Sequence, residues 1–207
     1  MPDIIEQRSA AWYQARLGNV TASRIGDVIA KTKSGPAAAR DNYMMELLAE
    51  RLTGITQEHF VNEAMLWGIE QEDFARAAYE ARTGTPVVET GYIPHPGIEH
   101  SGGSPDGLVG ADGLIEIKCP TTKTHIHFLI DGMIDPKYEA QMAWYIECTG
   151  RAWCDFVSYD PRLPDNVRLI VKRYVPEAMY LEYLRGEVNQ FLAELAELEA
   201  RVRAYKA

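Results

Sequence analysis

Ser104-Pro-Asp-Gly-Leu-Val-Gly-Ala-Asp-Gly-Leu-Ile-Glu-Ile-Lys-Cys-Pro120 is the stretch on which the fold turns. Two short β-like runs flank a glycine-rich turn, and Pro120 ends the second run abruptly. From Leu114 to Cys119 successive side chains alternate faces. Glu116 and Lys118 therefore project together, while Ile115, Ile117 and Cys119 point to the other side, which predicts a strand packed on a core. Asp106 lies at the end of the neighbouring strand.

On the N-terminal side the pattern is helical. Trp12 to Leu17 reads as a short helix, and Thr21 is placed to cap a second one through Ala30. Lys31 to Pro36 reads as a loop. Pro36 then opens a long helix through Leu52, with Tyr43, Met44, Leu47 and Leu48 on its apolar side and Gly54 just past its end. The next helix is capped by Asn62, carries Met65, Leu66, Ile69, Phe74, Ala77 and Ala78 at helical spacing, and closes at Gly84. Residues 86–93 and 98–110 are β-like and join 113–119 as a meander.

On the C-terminal side, helices are expected over Thr121 to Asp131 and Pro136 to Cys148, and strands over 151–160 and 167–175. A last helix from about Pro176 to Tyr205 bears Tyr180, Leu184, Val188, Phe191, Leu195 and Leu198 as its apolar stripe. This order predicts a mixed α/β (α+β) layer, a central mixed sheet flanked by helices. The expected organisation is one domain over 1–207, with N-terminal helices at 10–84, a sheet core at 86–175 and a C-terminal helix at 176–205.

The 207 residues are 46% hydrophobic, enough to bury a core. No stretch approaches the roughly 18 to 20 apolar residues that span a bilayer, and the N-terminus lacks the regions of a signal peptide. The expectation is a soluble, cytoplasmic protein without a membrane role. Cys119, Cys148 and Cys154 show no C-x-x-C spacing, which argues against a disulfide framework and a structural zinc site. A net charge of −9 argues against nonspecific coating of nucleic acid, although 21 Lys and Arg can still line a local basic cleft.

Two carboxylates from adjacent strands plus a strand carbonyl suit a hard ion such as Mg²⁺, which wants oxygen ligands and keeps waters. Asp106, Glu116 and the carbonyl of Ile117 form that set. Lys118, on the same face as Glu116, could orient an attacking water or stabilise charge developing on phosphorus. An isolated E-x-K triple is a weak signal, and alone it also describes a solvated strand face.

Further motifs stand in order along the chain: Trp12-Tyr-Gln-Ala-Arg16-Leu-Gly with Thr21-Ala-Ser23, Gly68-Ile-Glu-Gln-Glu72, Ser104-Pro-Asp106-Gly, Glu116-Ile-Lys118-Cys-Pro, Gln141-Met-Ala-Trp-Tyr145 and Tyr159-Asp-Pro-Arg162. Together they resemble the lambda exonuclease and YqaJ-like viral recombinase family of the PD-(D/E)xK nuclease superfamily, over nearly the whole chain. The resemblance implies a restriction-endonuclease-like core in which Asp106, Glu116 and the Ile117 carbonyl bind Mg²⁺, or Mn²⁺ in its place, and Lys118 is catalytic. Two ions per site are expected, with Glu72 holding the second ion or its water shell. Glu70 lies about 200° from Glu72 around a helix, so only one of the two can face the site. Gln141 is implied as a partner of the catalytic water or of Lys118. Tyr145 shares its helix face, as support or as a core residue.

The resemblance also implies a pocket for a 5′-phosphate, built from the Arg16 fork, Thr21, Ser23 and Ser104. Lys31 and Lys33 are candidates for DNA backbone contacts, and Met65 or Leu66 for a wedge between bases. The activity implied is 5′-to-3′ digestion of one strand of double-stranded DNA from a phosphorylated end, leaving a 3′ overhang for recombination. A homotrimer ring, a single-strand annealing partner and a phage or prophage origin in a bacterial host come with it. The alternatives are an endonuclease, an exonuclease of the other polarity, or a noncatalytic DNA-binding module on the same fold. His125 and His127 form no zinc pattern with the cysteines and are read as incidental.

Overall fold

The computed structural model describes residues 5–33, 35–56 and 63–206. Along the chain run α1 (Ala10–Arg16), β1 (Val20–Thr21), a 3-10 turn (Ala22–Arg24), α2 (Ile25–Val28), β2 (Lys31–Thr32), β3 (Gly35–Pro36), α3 (Ala38–Thr53) and α4 (Glu63–Thr83). There follow β4 (Val87–Val88), β5 (Ile93–Pro94), β6 (Ser101–Gly103), β7 (Gly107–Val109), β8 (Gly113–Lys118), α5 (Thr122–Asp131), α6 (Pro136–Thr149), β9 (Trp153–Tyr159), β10 (Leu169–Tyr174) and α7 (Ala178–Arg203).

The central sheet has the order β10-β9-β8-β7-β4. β8 is its middle strand, antiparallel to β7 and parallel to β9. The expected mixed sheet flanked by helices is therefore present, but the meander is split. β5 and β6 leave the large sheet for a small one in which β6 pairs with β1, the strand carrying Thr21. Glycine permits this crossing. A Cβ on Gly103 would come within 2.7 Å of the Tyr145 ring, and one on Gly102 within 2.5 Å of the Ile93 carbonyl oxygen.

Both faces of β8 are covered. Leu114 packs on the α6 and α7 side with Met142, Trp144, Leu184, Val188, Phe191 and Leu195, all fully buried. Ile115, Ile117 and Cys119 pack on the α4 side with Ala75, Tyr79, Val157 and Tyr159. Each such aliphatic or aromatic side chain contributes about 1.5–3 kcal/mol on burial, and this fixes the register of the strand carrying Glu116 and Lys118. The flanking helices are capped as their sequences suggest: Thr121 accepts from the Thr124 N–H, Asp135 accepts from the Lys137 N–H, and Gly150 closes α6 at φ 67°.

Four expectations need correction. Lys31–Thr32 and Gly35–Pro36 pair as the β2–β3 hairpin where a loop was expected, so Pro36 belongs to a strand and α3 starts at Ala38. Thr21 is the end of a strand. It is followed by a 3-10 turn and a four-residue helix, and its side chain makes no cap hydrogen bond. In α4, Met65, Leu66, Ile69, Phe74 and Ala77 are exposed, and the helix packs through Ala75 and Tyr79. Helical spacing identifies an apolar face but not what lies opposite it, and small Ala75 lets the helix approach the sheet closely. The cap assigned to Asn62 lies outside the described residues. Among the described residues, no helix is long and apolar enough to cross a membrane.

Candidate active site

Asp106 sits immediately before β7, and its N–H donates to the Ile115 carbonyl at 3.2 Å. Its carboxylate leans across the strand pair and accepts from the Ile117 N–H at 2.6 Å. The ladder pairs Gly107 with Ile115, so Asp106 falls beside Glu116. Val87 closes over this corner, where a Cβ on Gly107 would come within 2.2 Å of its side chain.

Glu116 is fully buried. Its Oε1 accepts from Gln141 Nε2 at 2.9 Å and is paired with the Lys118 ammonium. Its Oε2 is buried and has no hydrogen-bond partner among the described residues. Gln141 thus meets Glu116, and also donates to the Tyr145 hydroxyl at 2.6 Å, rather than meeting Lys118. Tyr145 itself is a core residue, 3% exposed.

Burial pushes the Asp106 carboxyl well above its ordinary range, and the negative charges of Glu116 and Glu72 push it further. Burial works against the Lys118 ammonium, but the carboxylates of Glu116 and Asp106 outweigh it and hold the lysine firmly protonated. The Lys118 ammonium also lies 5.0 Å from the Tyr138 ring. Lys118 is thus a fixed cation, suited to stabilising negative charge rather than to accepting a proton.

A cleft of about 1520 Å³ opens over this corner and is lined by Asp106, Ile117, Lys118, Glu72, Arg8, Arg16, Thr21, Ser23 and Met65, among others. Glu72 faces the cleft and pairs with Arg8 and, at 3.3 Å, with Arg76; Glu70 is exposed. Arg16 lies 4.0 Å from the Trp12 ring centroid, is drawn down from its ordinary pKa by burial, and has no carboxylate partner among the described residues. The Trp12 indole N–H donates to Ser104 Oγ at 3.0 Å, tying the arginine's platform to the strand end beside Asp106. The hydroxyls of Thr21 and Ser23 are 3.4 Å apart. The Thr21 N–H donates to Tyr43 Oη at 3.1 Å, so it is not the free helix-terminal donor that the sequence suggested.

Several assigned residues lie elsewhere. Lys33 is exposed at the turn of the β2–β3 hairpin and does not line the cleft, and Lys31 is paired with Glu187 at 2.6 Å. Ser104 is buried behind Trp12. His125 is a core histidine whose ring nitrogens meet Ser158 Oγ and the Val167 carbonyl oxygen, each at 2.8 Å. The three cysteines are buried and free. Arg8 and Tyr138 also line the cleft although neither lies in a periodic or motif-like context that marks a site, and Arg162, the last residue of the Tyr159-Asp-Pro-Arg162 motif, lines it as well.

Among the described residues, no three His, Cys, Asp or Glu side chains converge as a ready-made metal cage. The donors available are two carboxylates and a strand carbonyl. A buried carboxylate oxygen without a partner beside a second desolvated carboxylate is an arrangement that an oxygen-seeking divalent cation would satisfy. The donor set therefore fits Mg²⁺ or Mn²⁺.

Residues 11–152, which include every residue lining the cleft except Arg8 and Arg162, match the model of the YqaJ-like viral recombinase domain. The chain belongs to that family. Two solved structures similar to this YqaJ-like chain are of LHK-Exo, an alkaline exonuclease from Laribacter hongkongensis. One is 48% identical to it, with a TM-score of 0.88 over 94% of this chain and 96% of the other. The second, in complex with dAMP, is 50% identical over the same shares, also with a TM-score of 0.88. A phage-related exonuclease from Haemophilus somnus 129PT is 15% identical and has a TM-score of 0.69 over 89% of this chain and 96% of its own, a likeness of fold. No curated protein matches the chain.

Proposed function

We propose that this YqaJ-like chain is a Mg²⁺-dependent exonuclease that degrades the 5′-phosphorylated strand of duplex DNA and leaves a 3′ overhang. The observation that carries this reading is the single cleft that holds Arg16, without a carboxylate partner among the described residues, together with Asp106, Ile117 and Lys118. Its relatives at about half identity are an alkaline exonuclease, one of them in complex with a mononucleotide.

In this reading Asp106, Glu116 and the Ile117 carbonyl hold Mg²⁺, and Glu72 stands nearby for a second ion or its waters. The bound metal would polarise the scissile phosphate and lower the pKa of a water. Gln141 fixes Glu116 through Oε1 and leaves Oε2 for the ion. Lys118 holds its proton, so its work is to orient the water and to stabilise charge on the phosphoryl oxygens. Arg16 receives the terminal phosphate through its planar fork, backed by the Trp12 ring, and the hydroxyls of Thr21 and Ser23 supply further donors. Anchoring the end at one side of the cleft and cutting at the other gives digestion from the 5′ end.

A homotrimer ring around DNA accords with a chain whose net charge is −9, since basic groups can line a channel while acids face solvent. The exposed 3′ strand would pass to a single-strand annealing protein. The test is a duplex labelled at each end, with and without 5′-phosphate, in Mg²⁺ and in chelator. Metal-dependent loss from the phosphorylated 5′ side is expected. Equal digestion of closed circles, or loss from the 3′ side, would overturn the polarity, and DNA retention without cleavage would leave only a binding module.

A further inference from the structure

The segment Gln7-Arg8-Ser9 precedes the first motif of the chain, yet it is built into the active site. The Gln7 amide donates to the carbonyls of Thr90 at 2.8 Å and Pro105 at 2.9 Å, the latter adjoining Asp106. The Ile5 carbonyl oxygen presses so closely on Gly91 that a Cβ there would come within 2.1 Å of it. Ser9 caps α1 by accepting from the Trp12 N–H at 3.2 Å. Between these anchors Arg8 adopts φ 68°, a left-handed conformation that non-glycine residues rarely take. The strained backbone directs the guanidinium into the cleft, where it pairs with Glu72.

Glu72 is held by two cations, Arg8 and Arg76, while Lys118 stands on Glu116 beside Asp106. A divalent cation entering beside Glu72 competes with whichever of these cations is least firmly held. Arg76 is enclosed, its side chain 13% exposed, and is bound also to Asp73 and Glu89; Lys118 is held between Glu116 and the Tyr138 ring. Arg8, with a side chain 41% exposed, pairs with Glu72 alone among the described residues and is the one free to swing.

We infer that Arg8 is an exchangeable counter-cation of the site: it sits on Glu72 while the site is metal-free and moves to a DNA phosphate when a divalent ion takes Glu72. This rests on the metal reading above and adds a DNA-binding role for Arg8. It makes metal loading and DNA binding mutually reinforcing, because each removes the competitor of the other.

The discriminating variant is Arg8→Gly, which removes the guanidinium and suits the positive φ, so the fold is not put at risk. Calorimetric Mn²⁺ titration without DNA should show affinity raised by about threefold to tenfold over wild type, the scale of one partly exposed ion pair. Duplex affinity in Mn²⁺, measured in a cleavage-deficient Lys118→Ala background, should fall by about threefold to tenfold when Arg8→Gly is added. Arg8→Lys should lie between in both. Unchanged or weakened Mn²⁺ affinity, or unchanged duplex affinity, would overturn the inference and leave Arg8 a structural residue. Failure of the underlying metal reading has a different signature: wild type and Asp106→Asn would give the same titration.

Discussion

Two buried carboxylates on neighbouring strands of one sheet are treated in opposite ways. Asp155, on β9, is paired in the ladder with Ile115 on β8 and Arg173 on β10. It accepts from Tyr79 Oη at 2.8 Å and from two nitrogens of Arg173 at 2.9 and 3.0 Å, and the guanidinium is itself 3.5 Å from the Trp153 ring centroid. Glu116, one position further along β8, shares a single ammonium and one amide through Oε1 and leaves Oε2 unmet among the described residues, with desolvated Asp106 beside it. The first carboxylate is saturated by the chain and holds strands together. The second is left short of positive charge, which stabilises nothing in the metal-free protein and becomes intelligible if a cation arrives from outside.

The contrast can be broken by substitution. Lys118→Ala removes the fixed cation of the unsaturated end and should lower the rate of phosphodiester cleavage by about 10³-fold while the fold persists, checked by single-turnover kinetics beside circular dichroism. At the saturated end Asp155→Ala should cost about 2–4 kcal/mol of stability, read by denaturant melts, because it strands the Tyr79 hydroxyl in the core. Arg16→Ala should reduce the preference for phosphorylated over hydroxyl 5′ ends by about tenfold, measured as a ratio of rates on matched duplexes.

Asp106→Asn sharpens the comparison most delicately, since it should stabilise the metal-free protein by about 1 kcal/mol in chelator at neutral pH while abolishing metal binding. The sign follows from the raised carboxyl. A group whose pKa is higher folded than unfolded contributes stability that is full below the unfolded value, near 3.8, and is lost as pH rises through the folded one. The stability gap between Asp106→Asn and wild type should therefore open as pH rises past 3.8 and close again when Mn²⁺ is added. A gap that is constant with pH would contradict the desolvated state of Asp106.

What the sequence disclosed divides along the same physical line. Alternation in β8 and the stripe of Leu184, Val188, Phe191 and Leu195 in α7 were legible because adjacent apolar residues of β8 join different core clusters and the buried residues of α7 recur at helical spacing. The parallel pairing of β8 with β9 and the departure of β5 and β6 into a second sheet were not, because nonlocal pairing leaves no local signature. The apolar spacing of α4 misled for a related reason: its first turns line a cleft instead of a core. Asp106, Glu116 and Lys118 were legible as an ordered motif. Arg8 was not, since its place depends on a positive φ and on Gln7 reaching carbonyls 83 and 98 residues away.

Binding of a divalent cation by Asp106, Glu116 and the Ile117 carbonyl together can be tested by anomalous diffraction from a crystal soaked in Mn²⁺. A peak is expected between the two carboxylates, within coordination distance of the Ile117 oxygen and with Glu116 Oε2 as a ligand. Density for Mn²⁺ elsewhere on the protein, with Glu116 still bound only to Lys118 and Gln141, would contradict it.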